Sequence, residues 1–137
     1  MTSAIRNPGL DATWDRVGIT ASTLCVAHCV ASPFLAVALP VIAATEGATH
    51  RVLALAILSF ALLAFVPGYR LHRRRQVLAL GMAGVVLIWM PALLPGFPSV
   101  ESLEAAATIA GGTAMVVAHL LNLHYCRTCR VCARHAR

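Results

Sequence analysis

Four long apolar blocks divide this chain and leave few architectures open to it: Val17–Ala44, Val52–Gly68, Val77–Pro95 and Ala105–Tyr125. Runs of about 20 apolar residues are membrane-spanning candidates, because hydrocarbon forces the backbone to satisfy its own hydrogen bonds as helix. Only 12% of the residues are charged and the mean hydropathy is +0.78, whereas a soluble domain carries about 25% charge. The expected fold is an all-α, four-helix transmembrane bundle with both termini cytoplasmic. Its parts are a polar N-terminus (residues 1–16), a four-span membrane domain (17–125) and a Cys/Arg-rich tail (126–137). Block one is too long for a signal-peptide core of about 7–15 residues. It is expected to be retained, and to tilt, to kink at Pro33 or to end near Pro40. Block two lies near the lower length limit for a span.

The arginines set the topology. Arg6 and Arg16 precede block one, Arg70, Arg73, Arg74 and Arg75 separate blocks two and three, and Arg127, Arg130, Arg134 and Arg137 follow block four. Arg51 alone of the eleven falls on the other side, with Glu46, Glu101 and Glu104, and there is no lysine. Lys/Arg bias marks the cytoplasmic face. The net charge of +6 is therefore read as topological anchoring against anionic lipid. No nucleic-acid motif accompanies it, so nucleic acid is not an expected partner.

Polar groups inside a span are costly unless partnered, which makes them functional candidates. Ser22, Cys25, Cys29 and Ser32 recur at spacings of 3, 4 and 3, one helical face, with His28 beside the two thiols (LCVAHC). In block four, Met115, His119, Asn122, Cys126 and Cys129 recur at 4, 3, 4 and 3. Ala107, Ala110, Gly111, Ala114 and Ala118 line a small-residue flank that lets another helix approach, within the bundle or in a homo-oligomer. At a rise of about 1.5 Å per residue, Cys25 would lie about 12 Å deep and His119 about 10 Å, so the two could share a level. Asn122 is expected to join helices, Met115 to pack, and His50 and His72 to be solvated near the membrane surface.

The chain ends HYCRTCRVCARHAR, which places Cys126, Cys129 and Cys132 at C-x2-C-x2-C spacing. An iron–sulfur site would need a fourth cysteine, which this run lacks, and a zinc site a fourth ligand, for which His135 or His124 is at hand. The interleaved arginines favour thiolate. A flexible, thiolate-rich tail suits capture and transfer of a soft metal; the plain alternative is a disordered basic end.

Four spans, the LCVAHCVASPF segment, the GYRLHRRR connection and the cysteines after AHLLNLHYC resemble the MerC family of mercury-resistance membrane proteins and their MerC-domain relatives, over about Trp14 to Cys132. The resemblance implies Hg²⁺ uptake across the inner (cytoplasmic) membrane by thiol exchange. It puts the family's thiol pair at Cys25 and Cys29 and its cytoplasmic cysteines at Cys126, Cys129 and Cys132. Cytosolic thiols would be the acceptors, and no permanent cofactor is implied.

The chemistry suits such a relay. A soft cation that displaces two thiol protons enters the bilayer as a neutral bis-thiolate and avoids much of the cost of a buried charge. Including His28 or His119 would give a mixed S/N ligand set suited to Zn²⁺ or Cu⁺. The rivals are a membrane thiol–disulfide protein using Cys25 and Cys29, and a structural or regulatory membrane subunit whose cysteines are incidental. Catalysis has no support, because no nucleophile–base set is visible among five acidic residues expected near span ends or in loops.

Overall fold

The computed structural model describes residues 8–38, 46–93 and 101–135. They form four helices: α1 (Pro8–Ala38), α2 (Glu46–His72), α3 (Arg75–Leu93) and α4 (Glu101–His135). Each runs antiparallel to the next. Trp14 stacks on Phe60 and Cys29 meets His50 across α1 and α2, while Asp15 of α1 bonds Asn122 of α4. One end of the bundle therefore holds the start of α1, the α2–α3 turn and the exit of α4.

The molecule is apolar on the outside and polar within. Leu24, Leu55, Leu62, Met82, Val86, Val117 and Leu120 are exposed, while Asp15, Ser22, His72, Thr108, His119 and Asn122 are buried. Outward hydroxyls bond the carbonyl one turn back, Thr20 to Arg16, Thr23 to Ile19 and Ser59 to Leu55, which removes unsatisfied donors from a lipid-facing surface. Three stretches are long and apolar enough to cross a bilayer: Ala12–Phe34, Ala48–His72 and Leu103–Cys129. Arg75–Pro91 is the shorter fourth. The short span is thus α3, where block two was expected. The chain is a multi-pass membrane protein.

The helices run past the limits that hydropathy assigns. Pro8–Arg16, expected as a polar terminus, is already α1, and Asp15 is buried in it. Pro33 lies within α1, which continues to Ala38; residues 39–45, including Pro40, lie outside the described residues. The arginine connection is mostly helix. Only Arg73 and Arg74 separate α2 from α3, with Arg73 at φ 56 and its N–H bonded to Tyr69 O, a left-handed C-terminal cap. The tail expected to be flexible continues α4 through Cys126 to His135.

Glycines set the closest helix approaches. A Cβ on Gly84 would come 3.0 Å from Gly111 O, and one on Gly111 would come 2.8 Å from Gly84 O. Of the small-residue flank expected on α4, Gly111 makes the close contact with α3 inside the bundle, while Ala110 is exposed.

Candidate functional site

Cys25 and Cys29 face the interior, both buried, and lie near 4.4 Å apart. They are one helical turn apart, so both thiols leave α1 in the same direction. The Cys29 thiol is 3.2 Å from His50 Nε2, and the His50 ring meets His28 edge-on at 5.3 Å. His28 Nε2 is buried without a hydrogen-bond partner. His50 was expected in solvent. It is instead half-buried, because α2 begins at Glu46 and carries it against α1.

Cys25 also lines a cavity of about 420 Å³ at the end of the bundle away from the chain termini. All four helices contribute: His50 and Arg51 from α2, Trp89 from α3, Glu104 and Thr108 from α4. Arg51 and Glu104 are exposed at its rim. Cys25 therefore sits in the wall of a polar-mouthed opening.

A second polar cluster occupies the opposite end. Arg74 N–H donates to His72 Nδ1 at 2.9 Å, so the His72 proton is on Nε2, which donates to Asn122 Oδ1 at 3.0 Å. Asn122 Nδ2 donates to both Asp15 oxygens, at 2.9 and 3.1 Å, and to Ala64 O at 3.3 Å. His119 Nδ1–H donates to Asp15 Oδ1 at 2.9 Å. Four side chains and three helices are joined, which is how a carboxylate is tolerated in a membrane interior. Asn122 joins helices as expected. His72 does not meet solvent: α2 runs on to it and buries it against Asn122 and Tyr125. Asp15, expected near a span end, is a buried anchor of the bundle.

His119 does not share a level with Cys25. Its ring edge fills the space above Gly18 and its face meets Phe65 at 4.5 Å. Cys25 instead stands level with the segment between Thr108, which lines the same cavity, and Gly112, which packs on Ser22 and Val26. The depths inferred from hydropathy failed because they took the start of block one and the end of block four as level, whereas the register of the two helices sets Gly18, seven residues before Cys25, against His119.

The polar face of α4 is as its spacing predicts, with Met115, His119, Asn122 and Cys126 buried and Cys129 half-buried. Cys132 falls on the same helix, and its side chain lies outside the described residues. Cysteines three apart on a helix step round its axis by about 60°, so the C-x2-C-x2-C run spreads its thiols round α4. Among the described residues, no three His, Cys, Asp or Glu side chains form a ready-made metal cage.

Residues 15–124 match a family model described as MerC mercury resistance protein. The chain belongs to the MerC family. No curated protein and no solved structure matches it. The segment matched to MerC contains the thiol pair, His28, His50 and the whole Asp15–His119–Asn122–His72 cluster. It stops before Cys126, so membership in MerC bears on the helix-one pair and says nothing of the tail cysteines.

Of the cluster members that sequence reasoning missed, Asp15 had a legible signal. Asp15 and Gly18 extend the α1 face backward, giving Asp15, Gly18, Ser22, Cys25, Cys29 and Ser32 at 3, 4, 3, 4 and 3. His50 and His72 gave none, because each lies just beyond an apolar block and depends on where its helix ends.

Proposed function

We propose that this MerC protein carries a thiophilic metal cation, foremost Hg²⁺, across the inner membrane, by ligand exchange through Cys25 and Cys29. The observation that supports it best is the pair itself: two buried thiols one turn apart, with Cys25 in the wall of a cavity that opens at the arginine-poor end. The ion would arrive through that cavity, displace both thiol protons and sit as a neutral bis-thiolate. Ligand exchange then allows tight binding without trapping, since an incoming thiolate lowers the barrier to release.

The charge distribution supports the direction. Ten of the eleven arginines lie at or beyond the end that carries Asp15 and Cys126, and the positive-inside bias supports that end as the cytoplasmic one. Cys126, Cys129 and Cys132 would then meet the ion on exit and hand it to cytosolic thiols. The imidazoles of His28 and His50 favour a second cargo class, Zn²⁺ or Cu⁺, for which a mixed S/N set is suited.

Side-by-side uptake of Hg²⁺, Zn²⁺ and Cu⁺ into cells expressing the protein tests the reading. Hg²⁺ uptake above the vector control, lost in the Cys25→Ser/Cys29→Ser double variant, is expected. Uptake of no metal would overturn it.

A further inference from the structure

The thiols that would receive the ion and those that would release it are far apart. Cys25 stands level with the Thr108–Gly112 segment, and Cys126 lies 14 residues beyond Gly112, about 21 Å along the helix. Metal–ligand bonds are about 2.0–2.3 Å, so no single exchange spans that distance. His119 stands midway, seven residues or about 10 Å of helix rise from Gly112 and again from Cys126, so it halves the gap, and side-chain movement must still carry the ion across each half. On α1 the same interval runs from Cys25 to Gly18, which packs on His119.

His119 is prepared as a ligand. Its Nδ1–H is committed to Asp15 at 2.9 Å, which leaves the lone pair of a neutral ring on Nε2. That atom is fully buried and has no hydrogen-bond partner. A carboxylate behind the other ring nitrogen is the usual support of a metal-ligating histidine, fixing both tautomer and ring orientation. Asp15 also brings negative charge to a buried place where a cation without its thiolates would otherwise be uncompensated. One turn from His119 toward the cavity, Met115 is fully buried with its sulfur against Gly84 of α3, and Ser22 Oγ is buried without a partner at the corresponding turn of α1.

We propose that His119 Nε2 is an intermediate ligand station for the cation between the helix-one thiols and Cys126, and that Asp15 is its positioning residue. The proposal rests on the thiol-relay reading above. The step is ligand substitution without redox: a metal–nitrogen bond forms as a metal–sulfur bond breaks, and the released thiolate takes back one of the protons that loading displaced into the water of the cavity. No full cage is needed, because a resting place on a path must also let go.

The test uses the full chain in proteoliposomes, with Hg²⁺ outside and a thiol-based indicator inside. Loading of the pair is read from the metal–thiolate absorption and translocation from the indicator. His119→Gln is expected to load normally but to translocate at least about tenfold more slowly, the scale on which such ligand and support residues act. His119→Cys is expected to recover most of the rate, since a thiol replaces the imidazole as a soft ligand while the hydrogen bond to Asp15 is altered. Asp15→Asn, which keeps an acceptor but not the charge, should fall between. Wild-type translocation by His119→Gln would overturn the proposal. So would a His119→Cys variant that loads normally and moves ions no faster than His119→Gln, or, where the glutamine variant does not fold, a loaded but stalled cysteine variant. Loss of loading in Cys25→Ser/Cys29→Ser separates the two readings: if that variant loads and translocates like wild type, the relay itself fails, whatever His119 does.

Discussion

The Cys29 thiol lies 3.2 Å from the Nε2 of His50, 21 residues away on the facing helix. An imidazole at that distance can join Cys29 on a metal that accepts nitrogen. His50→Ala is therefore expected to weaken Zn²⁺ binding to the purified protein about 10- to 100-fold, while Hg²⁺, content with two thiolates, is bound as before. Competition against a chromophoric chelator measures both. Equal Zn²⁺ affinity in the variant and the parent would leave His50 a packing partner.

Single thiol variants probe the pair. Cys25→Ser and Cys29→Ser are each expected to abolish Hg²⁺ uptake and metal sensitisation in expressing cells, at unchanged protein abundance. One thiol cannot form a neutral two-thiolate complex, and serine is a poor ligand for a soft ion. Wild-type uptake by either variant contradicts the relay.

Gly18 gives a stability prediction. A Cβ there would collide with the His119 ring, and the ring cannot retreat because Asp15 and Phe65 hold it. Gly18→Val is expected to destabilise the bundle by about 1–3 kcal/mol, the usual cost of overpacking. Ala27→Val, on the exposed face of the same helix, should change little. Thermal unfolding in detergent compares the two, and a Gly18→Val transition as high as the parent's would show that the helices can separate there without penalty.

The fold was legible in the sequence because hydrocarbon leaves a chain of this composition little but helix. The two polar faces were legible as well, since the spacing that aligns Ser22, Cys25 and Cys29 also aligns Met115, His119 and Asn122. The partners of those faces were less so. Hydropathy ends a span where charge begins, and Asp15, His50 and His72 all lie at such edges, where helix continues although hydrophobicity does not. Which α4 residue meets which α1 residue depends on helix register, fixed here by Gly18 under His119 and by Gly112 against Ser22 and Val26. No spacing along one helix encodes that match.

Topology follows from the arginines. Reporter fusions after Ala48 and after Ser99 are expected to read as outside, and fusions after Arg74 and at Arg137 as inside. A cytoplasmic signal at Ser99 would contradict the four-span arrangement and turn the Cys25 cavity toward the wrong face.

The end of α4 calls for a graded outcome. Deleting Arg127–Arg137 removes Cys129 and Cys132 but keeps Cys126, which is buried in the bundle. The helix-one pair, at the other end of the molecule, should load as before. Release should slow, because the remaining acceptors are small cytosolic thiols in place of thiols held at high local concentration. A several-fold fall in transport is therefore expected, with binding intact. Complete loss of transport in a normally inserted protein would make the helix end part of the main path, and unchanged transport would leave it a basic end whose cysteines take no part in transfer. Because successive cysteines step round α4, single Cys129→Ser and Cys132→Ser variants should each cost less than the deletion, as expected of alternative acceptors and not of one shared cage.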